Sequence, residues 1–180
     1  MPQPLSDLVY EIAQLLKRLE TRIVFAESCT GGLVSAALAR VPGISEHLCG
    51  SAVVYRLDTK TRWLDVPNRL LLDPGPVSEP VARAMALGAL RRTPEAHLAA
   101  AITGHLGPNA PVEQDGKIFI AITRREMTLP DNVTVTVIEE RLPEDFPDVF
   151  TAFGETVRER RQWVAVERVL SCVRDELAQR

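Results

Sequence analysis

The sequence predicts a single layered α/β domain, and three observations carry that prediction. Helix-period apolar runs alternate with short, partly β-branched apolar runs. Glycine and proline clusters separate them. The 180 residues, 46 % of them hydrophobic, suit one core and leave no internal repeat, low-complexity tract or linker.

The elements follow in order. Leu5, Leu8, Val9, Ile12, Leu15, Leu16 and Leu19 lie on one helical face, with Ser6 as a candidate N-cap. "RIVFA" (22–26) reads as a buried strand, and 31–40 as a small-faced helix stopped by "VPG". "LCGSAVVY" (48–55) is a second strand. Residues 58–66 form a short helix or turn, and Pro67 opens another short helix carrying Leu70 to Leu72. Ser78 caps "SEPVARAMALGALRR", whose Pro80 is tolerated in the first turn. "HLAAAIT" (97–103) is a third strand. A glycine–proline loop then leads to "KIFIAIT" and "VTVTVIEE", alternating strands that suit neighbours in a mixed sheet, with Asp131-Asn132 in the turn between them. "LPEDFPDVF" is a loop, and 155–180 a long terminal helix. The order reads α-β-α-β-α-α-β-β-β-α.

Composition excludes several function classes. A net charge of −3 argues against binding nucleic acid by broad phosphate neutralisation. No apolar run approaches the roughly 20 residues that span a bilayer. The acidic N-terminal stretch has no cleavable apolar segment. Cys29, Cys49 and Cys172 are too few and scattered for a disulfide framework or zinc site, so the expected address is the cytoplasm. No metal and no cofactor are expected, nor any membrane or nucleic-acid partner.

Three segments fall at the carboxyl ends of strands, where open α/β sheets form their sites: 27–32, 55–60 and 103–108. Ser28 precedes a helix N-terminus, where unpaired N–H groups favour an anion. Gly31 and Gly32 let a ligand approach the backbone. Ser28 and Thr30 also fit a plain N-cap role. A serine nucleophile needs a base. His47 and His97 precede strands, away from the site, while His105 lies near it. Lys60 serves as base if burial lowers its pKa, with Tyr55 relaying or orienting the proton. Cys29 competes with Ser28 as nucleophile, and Glu27 can hold the turn by accepting from backbone N–H groups. Thr103, Gly104 and Gly107 offer a hydroxyl and backbone donors to a phosphate, ribose or oxyanion. The run "RERRQ" (158–162) reads as a solvated face, although one of its arginines can reach a phosphate.

The stretches "AESCTGGLVSAAL", "VPGIS", "GSAVVY....K", "GPVSEPVARAMALGAL" and "ITGHLGP" resemble the CinA family, in order from about 21 to 121, and more narrowly its C-terminal amidohydrolase domain. The resemblance implies a three-layer α/β/α sandwich, expected here with a mostly parallel, mixed sheet, spanning 1–180 as one domain. It implies a homo-oligomer that needs no metal. The implied activity is hydrolysis of the carboxamide of nicotinamide mononucleotide, giving nicotinate mononucleotide and ammonia, so the implied partner is a small pyridine nucleotide. It makes Ser28 the nucleophile and matches the family's tyrosine and lysine to Tyr55 and Lys60. Glu27, Cys29, Thr30, Gly31 and Gly32, with Thr103, Gly104, His105 and Gly107, are then expected to bind substrate.

The chain also departs from the family pattern. Arg56-Leu57 stands where the family has Ser-Asn. Asn109, Ala110 and Pro111 replace loop glycines, and Gly154-Glu155-Thr156 lies where the family has "GDR". A different amide substrate, or a nucleotide-binding or scaffold homologue without turnover, fits those changes too.

Overall fold

The computed structural model describes residues 3–125, 133–144, 154 and 156–179. Among the described residues, six α-helices and five strands follow one another: α1 (Gln3–Arg18), β1 (Ile23–Glu27), α2 (Leu33–Leu38), β2 (Leu48–Val53), α3 (Leu57–Leu64), α4 (Asn68–Leu72), α5 (Glu79–Arg92), β3 (Leu98–Gly104), β4 (Lys117–Arg125), β5 (Val133–Arg141) and α6 (Val157–Ala178). The sheet order is β2-β1-β3-β4-β5. The pairs β1–β2 and β1–β3 are parallel, whereas β3–β4 and β4–β5 are antiparallel. The sheet is thus mixed as expected, and parallel in half of its pairings. Only β1, β2 and β3 are joined by helical crossovers, which parallel neighbours require.

Strand alternation divides the core into two faces. Ile23, Phe25, Leu98, Ala100, Ile102, Ile118 and Ile120 point to one face, where they pack with α1, α2 and α6. Val24, Ala26, Ala99, Ala101, Phe119 and Ala121 point to the other, against α3, α4 and α5. The result is the expected α/β/α sandwich. The second face is lined largely by alanine, so α5 approaches closely. Gly88 of α5 lies so near α3 that an added Cβ would overlap the Leu64 carbonyl.

Several boundaries differ from the sequence reading. Ser6 lies inside α1, which begins earlier, at Gln3. The second helix shrinks to six residues, because Gly31 and Gly32 take left-handed backbone angles and belong to a turn. Ser78 sits at the N-cap of α5, but its hydroxyl donates to the Gly75 carbonyl and does not cap the helix. α6 begins with a capping box: the Thr156 hydroxyl accepts from Glu159 N, and the Glu159 carboxylate accepts from Thr156 N. The proposed turn at Asp131-Asn132 and most of "LPEDFPDVF" lie outside the described residues.

The strand order 2-1-3 matters for the site. Chain leaving β1 turns to the face that holds α2, and chain leaving β2 turns to the face that holds α5. A crevice opens where the connections diverge, beyond the carboxyl ends of β1 and β3.

Candidate active site

A cavity of about 250 Å³ occupies that crevice, and the three sequence segments meet in it. The end of β1 contributes Ser28 and Cys29. The chain after β2 contributes Tyr55 and Lys60. The chain from the end of β3 contributes Thr103, Gly104, His105 and Gly107.

The first segment is organised by Glu27. Its two carboxylate oxygens accept from Gly32 N, Val34 N and Ser35 N, and from the hydroxyls of Thr30, Ser35 and Ser51, at 2.8–3.0 Å. The anion expected at the N-terminus of α2 is therefore the protein's own carboxylate. Gly31 and Gly32 serve this turn: their left-handed backbone folds the chain so that its N–H groups reach Glu27. Glu27, Thr30, Gly31 and Gly32 consequently do not line the cavity, contrary to a substrate-contact role for them. They brace Ser28, whose N–H donates to the Ile102 carbonyl at 3.1 Å and whose carbonyl accepts from Gly31 N.

Lys60 projects from α3 beneath this turn and is 1 % exposed. Its Nζ donates to the Val54 carbonyl at 3.1 Å and lies 3.6 Å from the Met85 sulfur. Burial pushes its pKa down to about 8, and the nearby Cys29 sulfur pulls weakly the other way. Cys29 lines the cavity but packs into the core, and burial raises its thiol to about 12 against the opposing influence of Lys60. A thiol so poised stays protonated at neutral pH and is not a ready thiolate.

Tyr55 stands at the cavity mouth, largely exposed, and its hydroxyl accepts from Arg158 Nη2 at 2.7 Å. The Thr103 hydroxyl is already engaged, donating to the Pro76 carbonyl at 2.8 Å. His105 is held through its backbone N–H, which donates to the Lys117 carbonyl, leaving the ring at the cavity. His47 and His97 lie at the opposite end of the sheet, against Thr21 and Arg22.

Sequence reasoning took this part of α6 as a solvated face with one arginine able to reach a phosphate, and missed how much of it packs against the site. Arg158 lines the cavity and also donates to the Gly107 carbonyl. Arg161 is 3 % exposed, paired with Asp115 at 2.8 Å and bonded to the Leu106 and Pro143 carbonyls. Gln162 Nε2 donates to the Cys29 carbonyl at 3.1 Å. The run "RERRQ" is therefore partly buried against the site. Its i, i+3, i+4 spacing from Arg158 to Arg161 and Gln162 is the available signal. Among the described residues, no cluster of side chains could hold a metal ion.

Fold and site define an α/β/α protein whose crevice, at the carboxyl ends of three strands, is lined by a serine and a buried lysine. The family model described as CinA C-terminal domain matches residues 5–141. The chain belongs to the CinA C-terminal domain family. A CinA-like protein of Mycobacterium sp. (strain JLS) is 42% identical over 155 residues, covering 85% of this chain and 33% of that protein. A CinA-like protein of Geobacter metallireducens is 42% identical over 113 residues, covering 62% of this chain and 27% of the relative. The chain thus spans about a quarter to a third of the length of these relatives. The crystal structure of the competence/damage inducible protein CihA from Agrobacterium tumefaciens matches with a TM-score of 0.82 and 28% identity, over 99% of this chain and 98% of that one. A CinA superfamily protein from Klebsiella pneumoniae 700603 shares the fold, with a TM-score of 0.82 at 24% identity, over 98% of this chain and 99% of that one.

Proposed function

We propose that this chain is a metal-independent amidohydrolase that cleaves the carboxamide of nicotinamide mononucleotide. The observation that carries the reading is the burial of Lys60 in the cavity that Ser28 also lines. A neutral amine has two N–H donors and one lone pair. Lys60 has two acceptors within reach, the Val54 carbonyl and the Met85 sulfur. With both N–H groups so used, the lone pair is left to take a proton, and burial places the pKa near working pH. Ser28 lines the same cavity as that amine.

In this reading Lys60 accepts the Ser28 hydroxyl proton as Ser28 Oγ attacks the amide carbon. Backbone N–H groups of the turn after Ser28 hold the oxyanion. Lys60 returns the proton to the leaving nitrogen, ammonia departs, and water hydrolyses the acyl-enzyme to the acid. Tyr55 sits at the rim, where it shapes the entrance and assists proton movement. Amidohydrolase activity within the CinA family supports the reaction type, and the substrate rests on the resemblance of the Ser28, Tyr55 and Lys60 motifs. A homo-oligomer and a cytoplasmic setting belong to the same reading.

The changed rim favours a second reading, a nucleotide-binding homologue without turnover: Asn109 takes a left-handed conformation where the family has loop glycines. Ammonia release from nicotinamide mononucleotide, compared between the wild type and Ser28→Ala, separates the two. Release abolished by the substitution supports the hydrolase. Equal rates, or binding with no release, remove it.

A further inference from the structure

We infer that Arg158 is the anchor for the anionic end of the ligand, a phosphomonoester group, and so sets the preference for a nucleotide over the nucleoside that lacks the phosphate. The inference rests on the amidohydrolase reading for the identity of the ligand, and on charge and geometry for the anchor itself.

The charge is one-sided. Lys60 and Arg158 line the cavity, and among the described residues no aspartate or glutamate does. The arginine is also unneutralised. Arg56, Arg83, Arg92, Arg124, Arg161, Arg168 and Arg174 each make a carboxylate ion pair. Arg158 makes none among the described residues, and its partners are the neutral Tyr55 hydroxyl and Gly107 carbonyl. Two neutral acceptors aim the guanidinium at the mouth without cancelling its charge. A planar five-donor fork held this way suits a tetrahedral oxyanion, which it grips through parallel N–H···O bonds. The reacting groups Ser28 and Lys60 lie deeper, and Lys60 is fully buried while Tyr55, to which Arg158 is bonded, is exposed. A ligand with its amide inside and its anion at the rim matches that order.

The test uses the full chain carrying Ser28→Ala, so that binding is measured without turnover. Nicotinamide mononucleotide and nicotinamide riboside are titrated calorimetrically, with and without Arg158→Gln. A charge-assisted contact predicts that Arg158→Gln weakens the mononucleotide about 10- to 100-fold and leaves the riboside unchanged. Arg158→Lys, which keeps the charge and the helix, retains part of the preference and carries the test if the glutamine variant folds poorly. Equal weakening of both ligands, or no weakening of the mononucleotide, overturns the anchor. The two readings fail separately. Arg158-dependent binding of the mononucleotide, with no ammonia from the wild type, removes the reaction and leaves the anchor. Normal ammonia release with an unaltered KM in Arg158→Gln removes the anchor and leaves the reaction.

Discussion

Gln162 and Cys29 are 133 residues apart in sequence, yet the Gln162 amide donates to the Cys29 carbonyl oxygen at 3.1 Å. Cys29 is the second residue of a β-turn closed by the bond from Gly31 N to the Ser28 carbonyl. That closing bond leaves the central peptide of a turn free to rotate, and the two common turn types differ by that rotation. Gln162 fixes this peptide from outside, and with it the backbone next to Ser28. Gln162→Leu is expected to lower kcat about 10-fold or more with little change in KM. Gln162→Asn, too short to reach, is expected to match it. Steady-state kinetics read the split, and an altered KM with normal kcat would contradict this role.

The burial of Lys60 fixes a pH profile. A base with pKa about 8 is mostly protonated at pH 7 and becomes competent as pH rises. The rate constant kcat/KM is expected to climb tenfold per unit below the inflection and level off above it. Lys60→Arg, which cannot deprotonate, is expected to be inactive at every pH. A flat profile between pH 6 and 9 would remove Lys60 as the base.

The same burial costs stability. The folded pKa of Lys60 lies below the unfolded value of 10.5. Below pH 8 both states hold the proton, so the full penalty applies. Between about 8 and 10.5 the unfolded state binds more protons, and stability rises with pH. The shift corresponds to about 3 kcal/mol, partly offset by the bond to the Val54 carbonyl. Lys60→Met is expected to raise stability by about 1–2 kcal/mol at pH 7 while abolishing activity. Its advantage is expected to vanish by pH 10.5. Chemical denaturation at both pH values measures it.

Cys29 is expected to be inert. Iodoacetamide at pH 7.5 is expected to leave the proposed activity intact, because burial pushes the thiol up to about 12. Cys29→Ala is expected to keep kcat/KM within a few-fold and to cost about 1 kcal/mol for the small void. Rapid inactivation traced by mass spectrometry to Cys29 would show otherwise.

Glu27 holds the turn together. Glu27→Gln places two amide donors among six donors that now converge on its oxygens. A loss of about 2–4 kcal/mol is expected, with a fall in kcat from the displaced Ser28. An unchanged Tm would refute this account.

The fold was legible where periodicity was strong. The apolar face of α1 and the buried strands β1 and β3 are continuous patterns, and α5 carries its N-terminal proline. Convergence of three strand ends followed from the parallel crossovers. The role of Glu27 was half visible: a carboxylate beside a helix start suggests a brace, but the same turn also reads as a ligand cradle. Only the fold shows that the N–H groups of Gly32, Val34 and Ser35 are already taken by Glu27. The contribution of α6 was hidden for another reason. Arg158, Arg161 and Gln162 are polar residues of a type that usually faces water, and their partners are distant in sequence, up to 133 residues away. Local pattern carries no information about such contacts. Burial of Lys60 was likewise unreadable, since its neighbours Val54 and Met85 come from different elements.

The brace from α6 also sets the order in which competence can arise during synthesis. β1 leaves the ribosome well before α6, so β1 and its turn can form while the Cys29 carbonyl still awaits Gln162 and the crevice still lacks Arg158. In the amidohydrolase reading the nascent chain gains its chemistry only when α6 docks, and any event that undocks α6 releases the Cys29 peptide beside Ser28 and switches that chemistry off.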